Sequence, residues 1–165
     1  MEEKRKGCSF TGHRRIEPSH KKNIDGLIAR AIGYAYGEGC RDFYCGGAVG
    51  FDTHAARQVI LFRLSHPDVR LHLLLPCSNQ DEKWNGAEKK RYEHTIVSAD
   101  TVSYISDEYT KDCMKKRNEK LVEAADIVIA YVNKNYSGAA QTVRLANKAG
   151  KRVYNLYPTL EKEQK

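Results

Sequence analysis

Short apolar runs of strand length alternate with helical patterns along nearly the whole chain. Consecutive parallel strands must be joined by crossover connections, usually helices, and these cover both faces of the sheet. The alternation therefore predicts an α/β fold, a three-layer α/β/α sandwich around a mostly parallel sheet of about six strands. The strands are predicted at Gly7–Thr11, Asp42–Cys45, Val69–Leu75, Thr101–Ser106, Ile127–Val132 and Arg152–Leu156.

The clearest helical pattern follows the first predicted strand. Pro18 and Ser19 are typical of a helix start, and the pattern ends near Gly37. Its inward positions recur at helical spacing: Ile24, Leu27, Ile28, Ala31, Ile32 and Ala35. Further helices are predicted after Asp52, over Asp81–Val97, in a segment up to Ala124 and from Ser137 to Ala149. The last residues, Glu161–Lys165, are predicted to be disordered.

The 165 residues suffice for one domain, so we expect a single domain over residues 1–165, with a core at about 7–157 and short charged ends. The first residues are charged rather than apolar, and no run approaches the ~18 apolar residues of a membrane span. We therefore expect a cytoplasmic protein without a membrane partner. The five cysteines are scattered without zinc-site spacing, which predicts reduced thiols and no metal site.

The formal net charge is +7 at pH 7. An excess of this sign favours anionic partners such as nucleotides, phosphates or nucleic acid. The basic residues occur in short clusters that are also typical of solvated helix faces, so charge alone does not choose among these partners.

Three unusual clusters follow predicted strands: Thr11–Arg15, Gly46–Asp52 and Tyr136–Thr142. In an open parallel sheet, ligands bind beyond the carboxyl ends of the strands, where loops and helix N-termini meet. The glycines of the second cluster permit close backbone approach to a ligand, although the spacing matches neither G-x-G-x-x-G nor a P-loop and also suits a simple turn. The three clusters together predict one binding site at this edge.

Three side chains in these clusters have chemistry that suits a nucleotide. Arg14 could bind a phosphate as a fork, and His13 could donate a hydrogen bond or carry a proton; both also suit an exposed surface. Asp52 could accept hydrogen bonds from ribose hydroxyls or cap the helix that follows it.

Six motifs, in order, resemble the YpsA-like branch of the SLOG superfamily, whose Rossmann-like domain is similar to those of the DNA-processing protein DprA and the LOG enzymes. They are Thr11-Gly12-His13-Arg14, Gly46-Gly47-Ala48-x-Gly50-Phe51-Asp52, Leu75-Pro76-Cys77-x-x-Gln80-x-x-x-Trp84, Arg91-Tyr92, Arg117-Asn118 and Ser137-Gly138-x-x-Gln141-Thr142. The resemblance implies strand order 3-2-1-4-5-6 and a pocket for a nucleotide or nucleotide derivative.

The resemblance also implies which residues line that pocket. They are Gly12, His13, Arg14, Gly46, Gly47, Gly50, Asp52, Arg117, Asn118, Ser137, Gly138 and Thr142. Gln80 and Trp84 are expected near its rim, four residues apart and so on one helix face; Trp84 could stack on a base or serve only the structure.

Two departures from the family pattern bear on function. Ala139 and Ala140 follow Ser137-Gly138 where the family has Gly-Thr, which predicts an anion site that is narrower or shifted. In LOG enzymes, which hydrolyse nucleoside monophosphates, a catalytic glutamate occupies the position of Leu145. Leucine cannot transfer a proton. We therefore expect a nucleotide binder or sensor without glycosidase chemistry, with no catalytic residue assigned and no cofactor beyond a nucleotide or its derivative as ligand.

Two alternatives stay open. A single-stranded nucleic-acid binder similar to DprA would suit the charge, but it needs aromatic platforms, and strand residues Tyr104 and Tyr131 are expected in the core. A phosphoribohydrolase of the LOG type would need another base. The resemblance also implies a homodimer. The expected partner is a small phosphorylated ligand.

Overall fold

Six parallel strands form one sheet in the computed structural model, which describes residues 5–163. The strands are β1 (Lys6–Gly12), β2 (Cys40–Cys45), β3 (Arg70–Cys77), β4 (Thr101–Ser106), β5 (Ile127–Tyr131) and β6 (Arg152–Asn155). Each neighbouring pair is parallel. The predicted α/β class is therefore confirmed, and each strand lies within two residues of its predicted bounds. The charged residues 1–4 and the final residues 164–165 lie outside the described part.

Six helices cover the sheet. They are α1 (Ile24–Gly37), α2 (Phe51–Ser65), α3 (Gly86–Ser98), α4 (Cys113–Ala124), α5 (Gly138–Lys148) and α6 (Tyr157–Lys162). Helix α2 contacts α1 and α3, whereas α4 contacts α5. Right-handed crossovers that proceed in opposite directions along a sheet lie on opposite faces. Helices α1 to α3 therefore cover one face, and α4 and α5 cover the other.

The strand order is β4-β3-β2-β1-β5-β6. It agrees with the predicted order in the neighbours β3-β2-β1 and β5-β6, but the fourth strand lies at the outer edge beside β3 rather than beside β1. The reason is that the third crossover proceeds along the sheet in the same direction as the first two. Helix α4 then packs on β4, β3, β2 and β1 on its way back. The chain then continues into β5, which lies beside β1, and Gly12 of β1 pairs with Tyr131 of β5.

Side chains on β1 alternate between the two faces, as expected for a strand. Cys8 and Phe10 are fully buried in the core under α1 and α2. Ser9 points to the other face, where its hydroxyl donates to the Leu121 carbonyl of α4 at 2.6 Å. All five cysteines are buried free thiols. The sheet thus has a large apolar core on one face and a small apolar cluster on the other.

Four local expectations are wrong. Helix α1 begins at Ile24 rather than at Pro18 and Ser19, which belong to a separate 3-10 helix over Pro18–His20. Helix α3 begins after Asn85 rather than at Asp81, because Asn85 and Glu88 form a reciprocal capping box. Glu161 belongs to α6 instead of a disordered tail. Tyr104 is 45% exposed because β4 is an edge strand, whereas Tyr131 is buried as expected. Between residues 5 and 163, the structure contains no helix with the length and apolar character needed to span a bilayer.

Candidate functional site

A cavity of about 300 Å³ lies beyond the carboxyl ends of β1 and β5, where α2, α4 and α5 converge. Eight of the predicted binding residues line it: Gly12, His13, Arg14, Asp52, Arg117, Asn118, Ser137 and Gly138. The other lining residues are Phe10, Thr11, Ala48, Met114, Leu121 and Ala139. Residues from three distant clusters of the sequence therefore meet around one space.

The segment after β1 is held tightly against the start of α2. The Phe51 amide donates to the His13 carbonyl at 3.1 Å. A methyl group at Gly12 would lie 2.5 Å from the Phe51 ring. Gly50 has φ +83°, and a side chain there would collide with the backbone of Arg14. Gly12 and Gly50 therefore permit the close approach that places Arg14 at the mouth of the cavity.

The loop after β2 holds the Arg117 side chain in place. The Arg117 Nη1 group donates to the Gly46 carbonyl at 2.6 Å, and Nε donates to Asn118 Oδ1 at 2.8 Å. A side chain at Gly46 would collide with the guanidinium. Gly46 is therefore a supporting residue: its carbonyl accepts from the Arg117 guanidinium, and its missing side chain leaves room for that group.

Asp52 is the buried carboxylate of the cavity, with 6% of its surface exposed. Its Oδ2 atom accepts from the Ala48 amide at 3.2 Å, while Oδ1 is buried and finds no partner among the residues that the structure describes. Burial raises the pKa of Asp52 to about 6, although Arg117 and Arg14 act in the opposite direction. Asp52 Oδ1 is therefore a buried acceptor that the described residues leave without a donor.

Two arginines give the cavity a positive bias. Arg117 is only 5% exposed; burial lowers its pKa, and Arg14 nearby lowers it further, whereas Asp52 raises it. Neither guanidinium forms an ion pair within 4 Å in the described part of the chain. Two cations face one carboxylate here, so an anion in the cavity would relieve their repulsion.

His13 is held as a neutral ring. Its Nε2 atom accepts from the Asn133 amide at 3.0 Å, so the ring proton lies on Nδ1. Burial lowers the pKa of His13, although the nearby Asn133 side chain acts in the opposite direction. At neutral pH the ring therefore has Nδ1–H as its donor and no charge.

Helix α5 points its N-terminus at the same cavity. Ser137 caps the helix by accepting from the Ala140 amide at 3.0 Å. Gly138 and Ala139 form the first turn and line the cavity. Amides in a first turn have no partner inside the helix, and the helix dipole makes this end positive. The α5 terminus is therefore a second source of donors for an anion.

Six predicted residues do not line the cavity: Gly46, Gly47, Gly50, Gln80, Trp84 and Thr142. Gly46 and Gly50 support lining residues, as described above, whereas Gln80 and Trp84 lie in the turns before α3 and not on one helix face. Gln80 Nε2 donates to the Tyr92 hydroxyl at 3.0 Å, and Trp84 packs edge-on against the same ring, with centroids 5.0 Å apart. The Thr142 hydroxyl donates to the Gly138 carbonyl inside α5. For Trp84 the contacts support the structural alternative.

Met114 lines the cavity as well, although it is not among the predicted pocket residues. It lies three residues before Arg117 on α4 and so on the same face. Leu145 lies elsewhere, partly buried against the small apolar cluster of Val122 and Ala146. No group of three or more His, Cys, Asp or Glu side chains in residues 5–163 is arranged to hold a metal ion.

Comparison with known proteins identifies relatives of this chain. It is 25% identical over 130 residues to the SPbeta prophage-derived protein YoqJ of Bacillus subtilis, a match that covers 70% of this chain and 76% of YoqJ. It is 29% identical over 104 residues to a UPF0398 protein of Halalkalibacterium halodurans, covering 62% of this chain and 55% of that protein. The chain thus spans about half the length of the latter relative.

A solved structure of DprA from Helicobacter pylori, described for its single-stranded DNA binding mode, matches with a TM-score of 0.65. The match has 21% sequence identity and covers 96% of this chain and 73% of that chain. At this identity the likeness shows a shared fold.

The resemblance read from the six motifs is confirmed by a family model. The model described as the YspA SLOG family matches residues 10–159, which reach from β1 into α6 and include every element around the cavity. The chain therefore belongs to the YspA SLOG family.

Proposed function

We propose that this protein binds a nucleotide or nucleotide derivative in the cavity beyond β1 and β5. The observation that carries the proposal is Asp52, a buried carboxylate with an unpartnered oxygen, next to two arginines that form no ion pair in the described chain. A ligand that brings both an anion and a hydroxyl donor would satisfy all three groups. Phosphate and ribose are such a combination.

Each wall of the cavity has a part in this binding. Arg14, Arg117 and the first-turn amides of α5 bind the phosphate. Asp52 Oδ1 accepts a hydrogen bond from a ribose hydroxyl, and the neutral His13 ring is a further donor. The volume of about 300 Å³ is at the lower end of ligand sites, which suits a single nucleotide unit.

The proposal assigns no glycosidase chemistry. Leu145, at the position of the LOG glutamate, packs into an apolar cluster and has no group that accepts a proton. The carboxylate that lines the cavity is Asp52, which the proposal uses for recognition of the sugar.

The direct test is a thermal-shift panel with AMP, ADP, ATP, NAD, ADP-ribose and cyclic dinucleotides. A ligand at about a hundred times its Kd stabilises the native state by ~2.7 kcal/mol. For a chain of this length, this raises Tm by about 5–10 °C. Arg14→Gln should remove most of the shift, because the exposed Arg14 side chain binds phosphate without supporting the core.

Arg15→Gln is the matched control, since Arg15 is the adjacent exposed arginine and does not line the cavity. The Tm of Arg15→Gln should rise with ligand by as much as the Tm of the wild type. If no phosphorylated compound in the panel raises Tm, or if Arg14→Gln and Arg15→Gln respond alike to a ligand that does, the proposed site is wrong.

A second candidate is binding of single-stranded nucleic acid. Two observations favour it: the net charge of +7 and the shared fold with DprA of Helicobacter pylori. This candidate uses the same cavity for a phosphate of the strand, and it predicts a strong dependence of affinity on salt.

A further inference from the structure

A second cleft of about 310 Å³ opens on the other side of Arg14. It lies between α2 and α3, next to the turn at Gly50. Its lining residues are Arg14, Val49, Gly50, Thr53, His54, Arg57, Glu88 and Arg91. Arg14 is the residue that lines both this cleft and the cavity described above.

The second cleft has an excess of positive charge. Arg57 is paired, because its Nη2 group donates to Asp25 Oδ2 at 2.8 Å, and His54 donates to the other oxygen of the same carboxylate. Glu88 is the acidic residue of the lining, and its Oε1 atom is engaged by the Asn85 amide at 3.1 Å.

Arg14 and Arg91 have no acidic partner within 4 Å in the part of the chain that the structure describes. Arg91 is exposed on α3, on the opposite side of the cleft from α2. Two uncompensated guanidinium groups therefore face this cleft, with Glu88 as the opposing charge.

The backbone fixes Arg14 between the two spaces. Gly50 lies against the Arg14 backbone so closely that no side chain fits between them. The hydrogen bond from the Phe51 amide to the His13 carbonyl, at 3.1 Å, pins the preceding residue to α2. The backbone of Arg14 is therefore fixed between the cavity and the cleft, and the residue lines both of them.

From this arrangement we infer that the ligand has two separated phosphate groups, one in the cavity beside Arg117 and one in the cleft beside Arg91, with Arg14 between them. The inference rests on the proposed function. A pyrophosphate places its phosphates side by side in one space. The cavity and the cleft are two spaces whose linings share Arg14. A phosphodiester-linked pair of nucleotides separates its phosphates by a nucleoside, so the inferred ligand class is a linear dinucleotide unit, and ADP is the adjacent-phosphate compound that the test compares with it.

The test compares affinities of AMP, ADP and the 5′-phosphorylated dinucleotide pApA by calorimetry. The dinucleotide should bind about tenfold more tightly than AMP, because it adds a charge-assisted contact at the second cleft. Arg91→Gln should remove this gain and leave AMP affinity within about twofold of the wild type. Lys90→Gln is the matched control: Lys90 is exposed on the same helix but does not line the cleft.

The outcomes separate the two claims. If AMP binds but pApA binds no more tightly, if ADP equals pApA, or if Arg91→Gln changes both affinities alike, the two-phosphate inference is wrong and the proposed function stands. If none of the three compounds binds, both are wrong.

A single-stranded oligonucleotide of ~12 nucleotides distinguishes the source of the dinucleotide unit. Affinity well above that for pApA, lowered by Arg91→Gln, would support the inference with a strand as ligand. Affinity equal to or below that for pApA would support it with a free dinucleotide.

Discussion

A carboxylate without a full set of hydrogen bonds is costly inside a protein, because burial removes its hydration. Asp52 carries this cost: one oxygen is bonded to the Ala48 amide and the other has no partner in the described chain. Arg117 is also buried and lies near it, yet the two form no ion pair within 4 Å. Burial of these two charged groups therefore costs free energy of folding that no direct ion pair offsets.

The first prediction concerns the pH dependence of stability. The pKa of Asp52 is raised from 3.8 to about 6 in the folded protein. Between these values the folded chain keeps a proton that the unfolded chain has lost, so the contribution of Asp52 to stability falls as pH rises from about 4 to about 6. Asp52→Asn does not ionise and escapes this loss.

Relative to the wild type, Asp52→Asn should therefore gain about 2–3 kcal/mol in the free energy of unfolding between pH 4 and pH 7.5. Urea unfolding of both proteins at the two pH values measures this difference, and all other titratable groups cancel in the comparison. An unchanged difference would show that Asp52 ionises as it would in water.

At the scale of the element, the turn that starts α2 determines the shape of the site. Gly50 has φ +83° and ψ −123°, a region that residues with a side chain rarely occupy, and it lies against Arg14. Glycine adopts this conformation without strain, and its missing side chain permits the close contact. The function of the turn is to bring the segment after β1 onto the helix.

We predict that Gly50→Ala destabilises the fold by about 1–3 kcal/mol from backbone strain, with a further cost for the displaced Arg14 backbone. Gly33→Ala is the control, because Gly33 lies inside α1 with open space around it and should be stabilised by up to about 1 kcal/mol. Both values come from urea unfolding. Equal stability of Gly50→Ala and wild type would contradict the geometry of the turn.

The strands could be predicted from sequence because buried parallel strands are apolar runs bounded by turn residues. Their order was only partly predictable, since it depends on the direction in which each crossover proceeds, and apolar spacing does not contain that direction. The short helix α6 was missed because its buried residues, Tyr157 and Leu160, are too few to form a helical pattern.

The candidate site, like the strand order, was only partly predictable from the sequence. Motifs placed Arg14, Asp52 and Arg117 together, but they could not separate residues that face the cavity from residues that support it. Gly46 belongs to the second group, because its carbonyl accepts from Arg117. Phe10 and Leu121 line the cavity yet have no sequence signal, because apolar lining residues resemble core residues.

For the molecule as a whole, charge is the property that separates the two candidate functions. A net charge of +7 attracts any polyanion at low salt, so weak binding of an oligonucleotide by itself identifies nothing. The number of phosphates engaged is the informative quantity, since each releases counterions and steepens the dependence on salt.

If the ligand is a free nucleotide, its affinity should fall only severalfold between ~50 mM and ~200 mM salt, because few phosphates are bound. A bound single strand with about six phosphate contacts should lose affinity by a few hundredfold over the same range. Fluorescence titrations at the two salt concentrations, with AMP and with an oligonucleotide, measure both slopes. An oligonucleotide affinity that does not change with salt would contradict the nucleic-acid candidate.

The neighbouring strands β1 and β5 come from parts of the chain that are more than a hundred residues apart, and the cavity lies where they meet. During translation, the first turn of α5 leaves the ribosome long after β1. A nascent chain that ends before Gly138 lacks one wall of the cavity, so the cavity cannot form until the first turn of α5 has been synthesised.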